Sequence, residues 1–476
     1  MTTKEPEQGA SLARRASIYT MLSCHILALK IPRLAIPSLV PFMVESLGLP
    51  QSTVPTLLAA FHPGYVAANL PGGPLVQAVG AKAVGLLGLL GTAACFALFP
   101  SAARSKRATA QLVQIMMVMG ILQGPLSPTL MDTNSKWIPT KSAADKIERT
   151  WSIRFQSLMH SFSPALAVAI APRLASRFGW AMVCRVFAGG VAGYAVLWQL
   201  FFANAPPAVK APPARPAPPQ TGFKLEMAEG EEGAAAGSDS DGGGSGELEP
   251  ALSKKKVEYA ILGLPNSLSL ILYHIAFDNL AMTMIQLTPT IFMDKGGFGL
   301  SAVEMSKYVG AAQMCHVPAG FAVSAIDSLL IKAGVPPLSV RRAMTCGGSV
   351  LEAFWAVMFA RARTPLAAAV SYACLDCCSQ LHGSGAWTNF MEHGAEDAAL
   401  LNSVSNTLAS LTAVVVPHLG FALRQRTGSW APMLLGAAVL KLISGAIFGL
   451  TVTVTPARVQ LQRRRLQRQL RQQKQQ

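Results

Sequence analysis

The sequence predicts an all-α polytopic membrane protein, with twelve transmembrane helices in two pseudo-symmetric six-helix halves. Three observations carry that expectation. Only 13% of the 476 residues are charged, against about 25% in an ordinary soluble chain, and 51% are hydrophobic. Apolar stretches of about 20 residues, the length that crosses a bilayer, recur along the whole chain. A polar segment rich in Pro, Gly, Ser and charge divides them six and six at 204–257. Such a segment cannot bury a core and reads as a disordered loop.

The spans of the first half are expected at 18–44, 54–75, 82–101, 109–131, 153–175 and 179–203. Those of the second half are expected at 259–293, 303–331, 342–362, 365–391, 400–424 and 430–454. Several contain Pro and Gly, which membrane helices tolerate better than soluble ones. The domain plan is therefore a tail (1–17), a six-helix half (18–203), the central loop (204–257), a second half (258–455) and a basic tail (456–476).

A net charge of +16 raises nucleic acid as a partner, but the placement of the charge argues for lipid. Sorted by loop, about 25 Lys and Arg fall on the side of the termini, about 11 opposite and about 4 inside helices. The excess marks the cytoplasmic side, so both termini are expected there, in a plasma membrane or endomembrane. The loop holding Arg104, Lys106 and Arg107 runs against this assignment. The start has acidic residues and no small-residue cleavage site, unlike a signal or transit peptide. The tail PARVQLQRRRLQRQLRQQKQQ reads either as a solvated topology anchor or as a helix on an anionic leaflet.

Ionisable side chains inside a membrane helix are costly and normally face a cavity. Lys30 and Arg33 lie one turn apart on helix 1, beside Pro32 and Pro37. They are expected to attract an anion. Other candidates are His62, Asp132 and His160 in the first half. The second half offers His274, Asp278, Asn279 and Gln286 on helix 7, and Asp376, His382 and Asn389 on helix 10. Asp278 needs a partner or a proton, so it is expected to pair with Lys30 or Arg33 or to carry a coupling proton. Of eight cysteines only Cys374, Cys377 and Cys378 cluster. They read as small packing residues, with a metal or redox role as the sharper alternative. No phosphate loop, zinc spacing or nucleophile elbow occurs, so neither an enzyme nor a cofactor is expected.

A set of motifs follows in a fixed order. GYVAANLPGG (Gly64 to Gly73) ends helix 2 and GAKAVG (Gly80 to Gly85) follows. ILQGPLSP (Ile121 to Pro128) lies in helix 4, then SKWIP (Ser135 to Pro139), ERT (Glu148 to Thr150) and FGW (Phe178 to Trp180). In the second half come TPTIFMDKGGFGLS (Thr288 to Ser301), Asp327, VRRAMTCGGSVLEA (Val340 to Ala353) and GAWTNFMEHGAED (Gly385 to Asp397). SVSNTLASLTAVVVPHLG (Ser403 to Gly420) and TGSW (Thr427 to Trp430) complete the order.

This order resembles the organic anion and phosphate transporter family of the major facilitators, which includes vesicular glutamate transporters, sialin and plastid phosphate transporters (solute carrier family seventeen). The resemblance covers about residues 20 to 455 apart from the central loop. It implies alternating-access transport of a small organic or inorganic anion, with proton or sodium coupling. Substrate contacts are expected at Lys30, Arg33, His62, Asp278, Asn279 and Asn389, of which the resemblance itself places Arg33 at the family's helix 1 arginine. It implies coupling or gating roles for Asp278, Asp327, Arg341, Glu148 and Arg149. Ion pairs among Asp327, Arg341 and Arg342 are expected to hold one state of the cycle closed. The chain also departs from the family. The helix 7 arginine aligns with Phe277, the helix 4 arginine with Gly120, the helix 2 histidine with Leu58 and the acid after helix 2 with Gln77. These losses keep two other functions open: a carrier for a neutral or cationic solute built on Asp278 and Asp376, and a transport-dead sensor or scaffold.

Overall fold

The computed structural model describes residues 11–138, 143–206 and 259–473. All but the first three residues of the expected central loop, and most of the N-terminal tail, lie outside them. The described residues are helical, in twelve spans and a tail helix. The first half holds α1 (Leu12–Leu47), α2 (Val54–Ala59 and Phe61–Val79), α3 (Ala81–Ala102), α4 (Ala108–Trp137), α5 (Ala143–Phe178) and α6 (Trp180–Phe201). The second holds α7 (Pro265–Met293), α8 (Ala302–Lys332), α9 (Pro337–Arg361), α10 (Pro365–Ser379, continued by Thr388–Gly394), α11 (Leu400–Thr427) and α12 (Ala431–Thr451). The tail forms α13 (Ala457–Gln473).

Nine of these helices are long and apolar enough on their own to cross a bilayer, among the described residues. The other three spans have physical reasons to fall short. Helix α2 is broken at Ala60 and carries His62, Asn69, Pro71 and Pro74. The first turns of α5 are charged. A π turn at Gly383–Trp387 interrupts α10. A second π turn, Thr283–Leu287, lies within α7.

Local chemistry sets the helix ends. Ser11 caps α1 by accepting from the Arg14 amide at 3.3 Å. Ser301 and Glu304 form a reciprocal capping box on α8. A single residue, Gly80, turns the chain from α2 into α3 at φ 94°, where a side chain would be strained. Close approach also fixes the packing of α2 on α4. A Cβ on Gly64 would lie 2.0 Å from the Met117 carbonyl oxygen, and one on Gly120 would lie 2.1 Å from that of Phe61. The two backbones touch because neither glycine has a side chain.

The halves meet unevenly. At the end away from the termini they share one apolar core, with Leu39, Phe61, Met119 and Val168 from the first half and Leu287, Val309 and Val416 from the second. Helix α5 packs there on the first part of α8, and the start of α2 packs on the end of α11. At the terminus end the cores separate. Ile18, Leu22, Trp137 and Trp198 build one; Leu270, Tyr273, Phe390 and Phe448 build the other.

Candidate functional site

Helix α1 brings Lys30 and Arg33 to the middle of the bundle, both half-buried. The Lys30 ammonium lies 2.7 Å from Nδ1 of His160 on α5. The Arg33 guanidinium lies over the rings of Phe61 and Tyr65, with centroids at 4.5 and 5.7 Å. Among the described residues no carboxylate comes within 4.0 Å of either cation. Arg33 and His62 line a narrow pocket between the halves with Leu34, Pro37, Phe61, Met282, Ile285 and Gln286. Its volume of about 30 Å³ holds about two waters at most, so a larger solute requires the helices to part. Gln286 reaches from α7 to His62 at 3.1 Å, so a hydrogen bond joins the two halves at the pocket wall.

The second half faces these cations with acids. Asp278 is half-buried on α7 beside Asn279, with no cationic side chain within 4.0 Å among the described residues. The expected ion pair of Asp278 with Lys30 or Arg33 is not formed, because Lys30 turns to His160 and Arg33 to the aromatic rings. Asp376, offered by the sequence as a cavity carboxylate, holds His316 of α8 at 3.0 Å. His274 binds Ser405 at 2.8 Å, and His382 stacks on Phe277 with centroids 4.1 Å apart. Asn389 is buried away from the cations. It accepts from Asn266 at 3.1 Å and donates to the Thr453 carbonyl at 2.9 Å, tying α7, α10 and the end of α12 together.

The most deeply buried ion pair among the described residues lies outside the sequence-based expectations. Lys441 on α12 is fully buried, 3.3 Å from Glu352 on α9 and 3.0 Å from the Tyr273 hydroxyl. Its ammonium also lies 4.6 Å from the Phe277 ring. Phe277 stands where the family resemblance places a helix 7 arginine, so α12 supplies a cation at that spot. Gly120 has a different explanation. Backbone contact with α2 leaves no room there for the helix 4 arginine. The sequence signal for Lys441 and Glu352 was a single charge inside an otherwise apolar run.

Near the ends of α8, α9 and α10 the expected Asp327–Arg341 pair is present at 2.9 Å. Arg341 also donates to Glu392 at 2.9 Å and to the Ser384 carbonyl at 2.8 Å, so one buried guanidinium joins three helices. In the first half Glu148 accepts from Arg15 and from the Tyr19 hydroxyl, each at 2.7 Å, tying α5 to α1. The side chain of Arg149 lies outside the described residues. The cysteine cluster is half-buried, and the Cys377 thiol donates to the Cys315 carbonyl at 3.3 Å. Among the described residues no group of three or more His, Cys, Asp or Glu could hold a metal ion.

Known proteins share this architecture. The chain is 24% identical over 419 residues to the probable anion transporter 4, chloroplastic, of Oryza sativa subsp. japonica, covering 86% of this chain and 64% of that one. It is 24% identical over 411 residues to the ascorbate transporter, chloroplastic, of Arabidopsis thaliana, covering 85% and 68%. The chain thus spans about two thirds of the length of these plant relatives. The crystal structure of a bacterial homolog of the human lysosomal transporter Spinster, inward-facing and unoccupied, superimposes with a TM-score of 0.63. That likeness covers 93% of this chain and 98% of the other at 12% identity. The family model described as Major Facilitator Superfamily matches residues 21–417, and the chain belongs to that superfamily of multi-pass membrane proteins.

Proposed function

We propose that this protein carries a small organic or inorganic anion across a membrane by alternating access, driven by a proton or sodium gradient. One observation carries the reading: Lys30 and Arg33 stand at the meeting of the halves with no carboxylate within 4.0 Å among the described residues. A buried cation left without a counter-charge is costly, and an entering anion removes that cost. The relatives named as anion and ascorbate transporters support the substrate class.

With both termini cytoplasmic, the separated cores lie on the cytoplasmic side and the shared core on the other, as in an inward-facing state. The three-helix junction at Arg341 and the Arg15–Glu148 pair then keep each half rigid while the halves rock. His62 and Gln286 act as the contact that parts when the site opens outward.

The test is purified full-length protein in liposomes with a panel of labelled anions under imposed pH and sodium gradients. Arg33→Gln is expected to lower anion uptake by about two orders of magnitude at unchanged abundance, by loss of a charged, desolvated contact. Lys30→Gln is expected to do so to a similar or lesser extent. Unchanged uptake in both variants rejects the anion reading. A second reading, a neutral or cationic solute held by Asp278, has its own support, since Asp278 too has no cation within 4.0 Å among the described residues. Uptake that survives Arg33→Gln and is lost in Asp278→Asn would select it.

A further inference from the structure

Two basic groups, the Lys30 ammonium on α1 and Nδ1 of His160 on α5, share one hydrogen bond of 2.7 Å at the centre of the bundle. An ammonium only donates, so Nδ1 accepts and the imidazole is neutral in this arrangement. A second proton on Nδ1 would set two donors and two charges against each other and break the bond.

The anion itself prepares that proton's place. While Lys30 and Arg33 stand without a carboxylate within 4.0 Å among the described residues, a third positive charge on His160 is repelled. An anion bound to Lys30 and Arg33 offsets their charge and removes that repulsion.

We propose that His160 takes up a proton on Nδ1 when an anion binds Lys30 and Arg33, so that anion and proton cross together. This rests on the anion reading above. The bound anion accepts the Lys30 hydrogen bond, His160 is released from it, and its Nδ1 takes a proton from water on the side from which the anion came. Passage to the other side reverses both steps. The bond changes are those of the proton alone: an N–H bond forms on Nδ1 as an O–H bond of a hydrated proton breaks, and the reverse happens on release.

The groups facing His160 set when it can take that proton. Lys30 and Arg33 of α1 repel it until an anion offsets their charge. Helix α8, which packs on α5, brings His316, but that ring is held by Asp376 of α10 at 3.0 Å and by Gln380. Asp278 of α7 acts on Lys30 from across the site. His62 of α2 is committed to Gln286. Among these histidines His160 is the one hydrogen-bonded directly to a candidate anion-binding side chain.

The experiment uses the reconstituted full chain with whichever anion the panel identifies, and measures three things. They are exchange of internal for external anion without a gradient, accumulation across one pH unit, and proton uptake reported by a trapped pH dye. The wild type is expected to accumulate a monoanion about tenfold per pH unit, the limit for one proton per anion. His160→Gln keeps an acceptor for Lys30 without a titratable site. It is expected to retain exchange while losing both accumulation and anion-induced proton uptake. His160→Asn repeats the measurement should the first variant misfold. Retained accumulation and proton uptake in either folded variant overturn the proposal. So does loss of exchange in both, which would make His160 a binding or structural residue. Loss of coupling in Asp278→Asn with coupling intact in His160→Gln moves the proton to Asp278 and also overturns it. Absence of exchange in the wild type would reject the anion reading itself.

Discussion

Trp180 and Trp430 each open the last helix of their half, and each anchors it to the end of that half's first helix. Trp180 donates to the Ser46 hydroxyl at 2.8 Å, a neutral contact. Trp430 donates to the Asp294 carboxylate at 3.0 Å, which also accepts from Arg424. The same contrast recurs at the opposite end. The α8–α9 turn is held by Arg341 between Asp327 and Glu392, whereas the α2–α3 turn has Gln77 and Lys82 and relies on the Lys82 amide bonding Asn204. At these matched positions the second half uses ion pairs where the first uses neutral bonds. Among the described residues Lys30 and Arg33 of the first half have no carboxylate within 4.0 Å, with Arg33 among aromatic rings. Under the proposed function one half receives a ligand's charge, while the turns of the other are braced by their own ion pairs.

The largest test of that contrast is Lys441→Met, which leaves Glu352 buried without its cation. A loss of about 3–5 kcal/mol is expected, seen as a sharp fall in detergent-solubilised thermal stability. Lys441→Met combined with Glu352→Leu should recover most of it. Equal instability of the single and double variants would break the idea of an internally compensated half. Next comes packing in the first half, which depends on backbone contact rather than charge. Gly64→Val places atoms against the Met117 carbonyl and is expected to cost about 1–3 kcal/mol, independent of salt and pH. A salt-dependent loss would contradict a steric origin.

The paired turns give a direct comparison. Arg341→Gln is expected to cost about 1–3 kcal/mol by stripping three helices of a shared donor. Lys82→Gln should cost less than about 0.5 kcal/mol, because no side-chain ion pair holds that turn among the described residues. Equal losses would erase the distinction between the halves.

The smallest effect is a pH dependence confined to the second half. Burial raises the proton affinity of Asp294, but the donors Trp430, the Gly296 amide and Arg424 outweigh it and hold the carboxyl below its usual range. A carboxyl depressed in the folded state stabilises above its unfolded value near pH 4 and loses that contribution as pH falls through the folded value. The wild type should thus lose less than about 1 kcal/mol more than Asp294→Asn over that acidic window, as the group is partly solvated. Ser46→Ala in the first half should leave the pH profile unchanged. Stability curves collected from pH 7 downward would decide both.

Much of this was legible in the sequence. Hydropathy located the twelve spans, since membrane length leaves little freedom, and Lys30 and Arg33 stood out as two charges one turn apart inside a span. Asp327 and Arg341 were readable because they flank one short turn. The Lys441–Glu352 pair was not, because two charges on separate helices give no local sign that they meet. Nor was the emptiness at Gly120, which follows from the backbone of α2 and not from any neighbour in sequence. Asn389 was legible as a polar residue in a span, but its partners were not, since Asn266 and Thr453 lie far from it in sequence.

The π turns of α7 and α10 bear on how such a chain can be altered. Each loop of backbone there takes in one residue more than an α-turn holds. Deleting a residue from 283–287 or 383–387 would let the helix close into regular α form. The surplus residue is absorbed within one turn, so side chains beyond it, Thr288 to Met293 or Thr388 to Gly394, would keep about the same faces. A deletion elsewhere in either span would turn every side chain on the far side by about 100° around the axis, the angle between successive residues. The two π turns are therefore where these spans can lose a residue without losing phase, and an alignment gap placed outside them compares the wrong faces.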